Sequence, residues 1–380
     1  MANIIYAKRI ESLEEDVLKL DMLDTYFQDA LEILDGIDKD GHKIGYFFID
    51  PLIDHYEAAN RFYFEGLKLD ILDRISLYRT GASPIQALSD AKLYIENGIY
   101  DAIAIFTFEP LYSDKKRLGS AKINEAMDIF QGLNLISSYD KLAKEMCKQL
   151  SISEDEFIDI SDKLYENYAK TFTKLHPDRR LPDDRGQFLE KAGSDLFKLT
   201  DVANPNIDFT GGLIVANKKV SDKYNYFNSK YELAGAASKM VKANPASPQI
   251  LVGRADNIFP HLNAVAKNVE AQAKIVIKEE LNKENLFLAA YTCYPTSPLG
   301  FLFATNIIDS VNDIDRILEK NELTVEGGMS LGRAPWNNPA LSNTILLLEK
   351  MEVNNREYGL VQGNGGLGES QGLAIIKKIN

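Results

Sequence analysis

The chain has 380 residues, 45% of them hydrophobic, and a formal net charge of −13. That length exceeds one ordinary core and implies two or three compact units. The acidic balance excludes broad binding to nucleic acid or anionic membranes, which attract basic surfaces. No run approaches the roughly 18 apolar residues of a membrane helix, and the start MANIIYAKRIESLEED lacks the apolar stretch of a secretory signal. The only cysteines, Cys147 and Cys293, argue against a disulfide framework and for a cytoplasmic location. His42, His55, His176 and His261 are scattered without a Cys or His neighbour, so no metal site is expected.

In chain order, residues 13–35 carry apolar positions at helical spacing (Val17, Leu20, Leu23, Phe27, Leu31, Leu34) and predict a helix ending before Gly36. Lys43–Ile49 reads as a buried strand, 54–68 as a helix and Ile71–Thr80 as a strand. The turn Thr80-Gly81-Ala82-Ser83-Pro84 follows, with Ser83 as N-cap and Pro84 as first residue of a helix to Asn97. Asp101–Phe108 is a strongly apolar strand, completing a βαβ unit and implying a parallel sheet covered on both faces. Residues 113–200 are charged and helical in pattern, an insertion on the first lobe with a polar stretch at His176–Arg185. Asp208–Asn217 returns to a buried strand.

The second lobe repeats this logic. Pro248–Gly253 reads as a strand, 258–281 as a long helix, Leu286–Tyr291 as a strand and 297–309 as a helix. Two glycine-rich turns, 327–338 and 363–372, flank a helix over 339–352, and Gly372–Ile379 closes as a strand. The expected architecture is α/β: two duplicated lobes, 1–220 and 221–380, with the insertion at 113–200.

Four motifs carry a family resemblance. Glu326–Asn338 (EGGMSLGRAPWNN) resembles the Gly-Gly…Gly-His-Pro loop of thiolases, and Tyr358–Gly366 (YGLVQGNGG) their last active-site loop. Tyr291-Thr292-Cys293-Tyr294-Pro295 is similar to the His-Asp-Cys-Phe motif of sterol-carrier-type thiolases, and Gly81–Leu88 (GASPIQAL) falls where thiolases place the nucleophile. The likeness is greatest to thiolase-like proteins of type 1, often labelled acetyl-CoA acetyltransferases. It implies the five-layered α-β-α-β-α thiolase fold with five-stranded mixed sheets, at least a homodimer or a tetramer, and a coenzyme A thioester as substrate with no resident cofactor. A small OB-fold/zinc-ribbon partner accompanies some thiolases.

The departures from the pattern matter most. A thiolase needs a thiolate to take the acyl group, placed at a helix N-terminus that lowers its pKa, and a base to raise it. The resemblance puts Gly81 at the nucleophile, Ala334 at the loop histidine, Gly363 at the second cysteine and Tyr291 at an oxyanion-hole residue. Cys293 is the reactive side chain that remains. The catalytic candidates implied are therefore Cys293, Tyr291 and Arg333. The substrate-binding candidates are Gly81, Ser83, Gly328, Asn337, Asn338, Gly363, Asn364, Gly365 and Gly366. Each also has a plain reading: a small core residue for Cys293, packing for Tyr291 and Tyr294, backbone freedom for the glycines, a solvated Arg333, and turn or N-cap residues in Asn337 and Asn338. His261 reads as structural and Cys147 as core, while His176, Arg179 and Arg180 form a basic spot suited to CoA phosphates. Two functions follow: an acyl-CoA C-acyltransferase acting on acetyl-CoA or β-ketoacyl thioesters, or a degenerate subunit that binds a thioester or supports a catalytic partner.

Overall fold

The computed structural model describes residues 1–53, 55, 75–128, 134–242 and 247–379. Nine strands form one mixed sheet among the described residues. In its first half lie β1 (Ala2–Ser12), β2 (Ile44–Ile49), β3 (Ile75–Tyr78), β4 (Ala102–Pro110) and β5 (Asp208–Asn217); the second half starts with β6 (Lys230–Met240). A two-residue hairpin, β7 (Gly253–Arg254) and β8 (Asn257–Ile258), stands apart from the main sheet. β9 (Leu286–Ala289), β10 (Tyr358–Gly365) and β11 (Ser370–Ile379) complete the order β3-β2-β4-β5-β1-β6-β11-β10-β9. β2 is parallel to both β3 and β4, and β9 is parallel to β10, while the remaining main-sheet pairings are antiparallel. The halves meet through a short strand pairing, Asn3 with Glu232 and Ile4 with Tyr231. The expected pair of five-stranded sheets is thus a group of five and a group of four, joined along that short seam.

Side chains alternate across each strand, and the alternation sorts them into layers. Phe47 and Ile49 of β2 face a central core with Ile103 and Ile105, whereas Tyr46 and Phe48 face an outer core with Ala104 and Phe106. The outer core is closed by Leu34 and Ile37 of α1 (Gln28–Lys39). The central core holds Ile85, Leu88 and Ala91 of α2 (Ser83–Glu96) and also packs Leu233, Val361 and Ala374 from the second half. Beyond the second half, Leu373 and Ile375 pack on Leu262, Val265 and Val269 of α5 (Pro260–Ala273) and on the insertion helices α3 (Leu135–Leu150) and α4 (Glu154–Leu175). The remaining helices used below are α6 (Thr296–Ala304) and α7 (Pro339–Glu352), whose Leu341, Ile345 and Leu348 join α2 in the central layer. The result is helix, sheet, helix, sheet, helix: the five layers expected.

Several expectations are corrected in detail. The helix expected over 13–35 is interrupted: a 3-10 turn at Leu20–Met22, a short helix at Leu23–Tyr26, and then α1, which passes Gly36 and reaches Lys39. Gly36 is accommodated because the Tyr224 ring lies over it and the Tyr224 hydroxyl donates to the Gly36 carbonyl. Pro248–Gly253 forms a helical turn (Gln249–Val252), as the Pro248 backbone is already αR. The helix expected over 258–281 breaks at Lys274, which has φ +56°, into α5 and a second segment Ile277–Asn282. Gly363–Gly372 is mostly β-hairpin. The helix expected over 54–68 lies outside the described residues except at His55.

Candidate active site

The central helices α2 and α7 both begin with proline in the first turn, and the turns leading into them border one cleft of about 170 Å3. Thr80 and Gly81 come from the α2 side, and Ala334, Pro335, Trp336 and Asn337 from the α7 side. Tyr291, Cys293 and Tyr294, between β9 and α6, supply a third wall, and the β10–β11 turn supplies Asn364, Gly365 and Gly366. The insertion covers the cleft with Leu135 and Tyr139 of α3 and with Val202, Ala203 and Pro205 of its return segment. Backbone bonds fix that segment: Ala203 N–H donates to Cys293 O (3.0 Å), and Asn204 N–H to Met329 O (2.9 Å).

Gly81, expected from the resemblance at the nucleophile position, lies in the turn before α2 and lines the cleft. A Cβ built on it would sit 2.5 Å from the Tyr291 hydroxyl and even closer to the Asn364 carbonyl, so a side chain fits only if these groups move. The Tyr291 phenol fills that space. Burial holds its pKa well above the usual phenol value, with the nearby Cys293 and Glu109 as further contributors. At neutral pH it is a neutral O–H, able to donate to a carbonyl or enolate oxygen.

Cys293 is 9% exposed, and burial pushes its thiol up to about 11. It is therefore a thiol rather than a thiolate at neutral pH. Its Sγ lies 3.5 Å from Tyr139 Oη and 3.7 Å from Asn364 Nδ2. Tyr139 donates to Gly366 O (2.8 Å), accepts from Asn364 Nδ2 (3.2 Å) and stacks on Tyr294 with ring centroids 3.9 Å apart. Asn364 is itself oriented: Gln371 Nε2 donates to its Oδ1, Gln362 Nε2 donates to Gln371 Oε1, and Gln362 Oε1 accepts from Tyr291 N–H. This chain of buried amides ties the two tyrosine walls together.

The α7 side is held by a buried carboxylate. Glu109, at the end of β4 and 1% exposed, accepts from Leu52 N–H (3.0 Å), from Asn337 N–H on both oxygens (3.1 Å each) and from Asn338 Nδ2 (2.9 Å). Burial raises it to about 7 despite these donors.

The cleft thus brings together Gly81, Tyr291, Cys293, Asn337, Asn364, Gly365 and Gly366. Asn338 and Gly363 sit just behind it. Asn338 contacts Glu109, and β10 passes so close to the start of α2 that a Cβ on Gly363 would meet Ile85 at 2.8 Å. Ser83 is not an N-cap: that position is Ala82, and the Ser83 hydroxyl accepts from Thr80 N–H (2.6 Å), tightening the turn. Arg333 does not line the cleft; its Nη1 donates to Asn206 O (2.7 Å), and its φ is +63°. Gly328 faces the insertion. At φ +84°, a Cβ there would lie 2.8 Å from Tyr168, so this glycine serves backbone geometry and close packing. His176 packs against Phe172 with its ring tilted by 52° and, with Arg179 and Arg180, lies outside the cleft lining. His261 donates from Nε2 to Gly368 O (2.6 Å), fastening α5 to the β10–β11 turn, and Cys147 is 4% exposed in the core.

Sequence reasoning missed Tyr139 and Glu109. Tyr139 occupies an ordinary apolar position of an amphipathic helix and gives no signal. Glu109 leaves a faint one, a lone carboxylate closing the apolar strand AIAIFTFE.

No protein-family profile and no curated protein matches this sequence. Solved structures do match in fold. A monomeric SCP2-thiolase-like protein type 1 from Mycobacterium smegmatis aligns with a TM-score of 0.69 at 15% identity, over 99% of this chain and 77% of that one. The Ltp2-ChsH2(DUF35) aldolase aligns with a TM-score of 0.69 at 12% identity, over 99% and 97%. Human mitochondrial 3-ketoacyl-CoA thiolase, in complex with CoA, gives 0.58 at 13% identity, over 100% and 98%. This chain has the thiolase fold. Among the described residues, no helix is long and apolar enough to cross a membrane.

Proposed function

We propose that the cleft binds an acyl thioester, with coenzyme A as carrier, and makes or breaks the Cα–Cβ bond of its acyl chain without an acyl-enzyme. The observation that carries this reading is the Tyr291 hydroxyl in the space over Gly81. An oxygen donor there can hydrogen-bond the thioester oxygen as it becomes an enolate, which is the charge both Claisen and aldol chemistry must stabilise. Cleavage of a β-hydroxyacyl thioester then balances simply. The hydroxyl proton is lost, the Cα–Cβ bond breaks to leave a ketone or aldehyde, and the enolate is protonated at Cα. The neutral thiol of Cys293 and the absence of side chains at Gly81 and Gly363 support the lack of covalent transfer. The aldolase among the fold neighbours supports the same class of chemistry.

The test is to incubate the protein with acetoacetyl-CoA plus CoA, and separately with 3-hydroxy-3-methylbutyryl-CoA, and to quantify acetyl-CoA by chromatography. Acetyl-CoA release by the native protein and its loss in Tyr291→Phe would support the reading. Equal release from both proteins contradicts it. Release from neither, in a protein that binds these esters, favours the second reading, a thioester-binding subunit; Ala334 in place of the loop histidine supports that alternative. In either case we place the protein in the cytoplasm, consistent with two free buried cysteines. We also propose that it assembles as a homodimer or tetramer, or with a small OB-fold/zinc-ribbon subunit; the DUF35-associated neighbour supports the latter.

A further inference from the structure

Glu109 is a buried group behind the Asn337 wall of the cleft that the chemistry above leaves unused. It comes from β4 in the first half of the sheet, yet two of its partners, Asn337 and Asn338, lead into α7 beside the second half. Its third partner is the Leu52 N–H after β2, in a turn whose Leu52 carbonyl also accepts from Arg79 Nη2 (3.2 Å). Asn337 Nδ2 donates to Asp50 O (2.9 Å), closing the same junction. We propose that Glu109 is a positioning residue, whose carboxylate fixes the Trp336–Asn337 wall of the cleft against the Asp50–Leu52 turn.

Four hydrogen bonds converge on its two oxygens. A neutral carboxylic acid turns one oxygen into a donor facing N–H groups, so protonation must release part of the wall. Burial raises Glu109 to about 7, which brings that release into the neutral range. Among the described residues, the ionisable groups that interact with it are Asp114, from the helix after β4, and the Tyr291 phenol. Asp114 is in turn held by His55 (2.7 Å) and Arg117 (2.7 Å). Glu326, at the start of the same loop, is also raised to about 7 by burial and is the control.

Trp336 is the only tryptophan in the chain, and it packs on Leu52, Leu111 and Ile123 beside this junction. Its fluorescence therefore reads the wall directly, without ligand. The experiment is a pH titration of tryptophan emission from pH 5.5 to 9 on the native protein, Glu109→Gln and Glu326→Gln, with circular dichroism to establish folding. The expected result is a transition near pH 7 in the native protein and in Glu326→Gln, and its loss in Glu109→Gln. A flat native profile, or an unchanged transition in Glu109→Gln, overturns the proposal. Should Glu109→Gln fail to fold, Asn338→Ala decides. Loss of one donor to the carboxylate must move the transition to higher pH, and an unmoved transition overturns the proposal. The link to catalysis rests on the thioester reading and is measured separately, as a raised KM for acetoacetyl-CoA and a flattened acid limb in Glu109→Gln. Since the emission titration needs no ligand, it still decides the role of Glu109 if the thioester reading fails.

Discussion

The turns leading into the two central helices solve the same problem in different ways. Both run from irregular backbone into a proline-led helix of the buried middle layer, both border the cleft, and neither is capped by a side chain. The turn before α2 is filled from outside: Gly81 contributes no side chain, and the Tyr291 phenol occupies its space. The turn before α7 is pinned from behind, its Asn337 and Asn338 drawn onto the buried Glu109. The lesson is that two proline-led helix starts bordering one cleft can be held differently, one by a ring that fills the space over a glycine and the other by a buried carboxylate behind it.

The largest effect in this comparison is expected at the filled turn. Tyr291→Phe keeps the ring and removes the hydroxyl, and loss of an oxyanion-type donor lowers kcat by about 100- to 1000-fold. Steady-state acetyl-CoA release checks this, with circular dichroism as the control for folding. Next comes Gly81→Ala. Its new methyl meets the Tyr291 hydroxyl and the Asn364 carbonyl, and overpacking of this kind costs about 1–3 kcal/mol. Urea unfolding of the two proteins measures it, and an unchanged midpoint would mean that the turn yields to the added methyl without strain.

The two buried carboxylates give a pH dependence of comparable size. Glu109 and Glu326 both bind protons more tightly when folded, at about 7 against 4.5 for an ordinary glutamate. Between those values the folded state holds protons that the unfolded state has lost, so stability from these groups rises as pH falls from about 7 toward 4.5 and is lost above it. Each contributes up to about 3 kcal/mol. Unfolding midpoints measured from pH 5 to 8 should therefore decline with rising pH, and less steeply in Glu109→Gln. The smallest effect is expected at Cys293. With its thiol protonated and buried, Cys293→Ser should change turnover by less than about tenfold, and thiol reagents should label it slowly until the protein unfolds.

Much of this architecture is legible in the sequence because it rests on strong local signals. The strand AIAIFTF, the Ser83-Pro84 start of α2 and the Pro339 start of α7 are each set by apolar runs and proline geometry. β1 and β6, which form the seam, are not announced. The run KYELAGAASKM is small and polar for a strand, and its place is decided by pairing with β11. PQILVG reads as a strand for the opposite reason: a short apolar run carries no period long enough to separate strand from helix. The site follows the same rule. Motif spacing points to Gly81, Cys293 and the Asn364-Gly365-Gly366 turn, which lie together in one cleft, and to Arg333, which lies outside its lining because an arginine beside a motif says nothing about the carbonyl it meets. Tyr139 comes to line the cleft, and Glu109 to hold its Asn337 wall from behind, only through tertiary packing of α3 and β4.

The central claim is that an oxygen donor has replaced a covalent nucleophile, and intact-protein mass spectrometry tests it most directly. Native protein, Tyr291→Phe and Cys293→Ser are each incubated separately with acetyl-CoA, with acetoacetyl-CoA plus free CoA as acyl acceptor, and with 3-hydroxy-3-methylbutyryl-CoA, and the protein masses and the acetyl-CoA formed from the two larger esters are recorded together. The expected result is no acyl adduct on any of the three, with carbon–carbon cleavage present in the native protein and Cys293→Ser and lost in Tyr291→Phe. An acyl adduct on the native protein that disappears in Cys293→Ser would contradict the claim and make Cys293 the nucleophile.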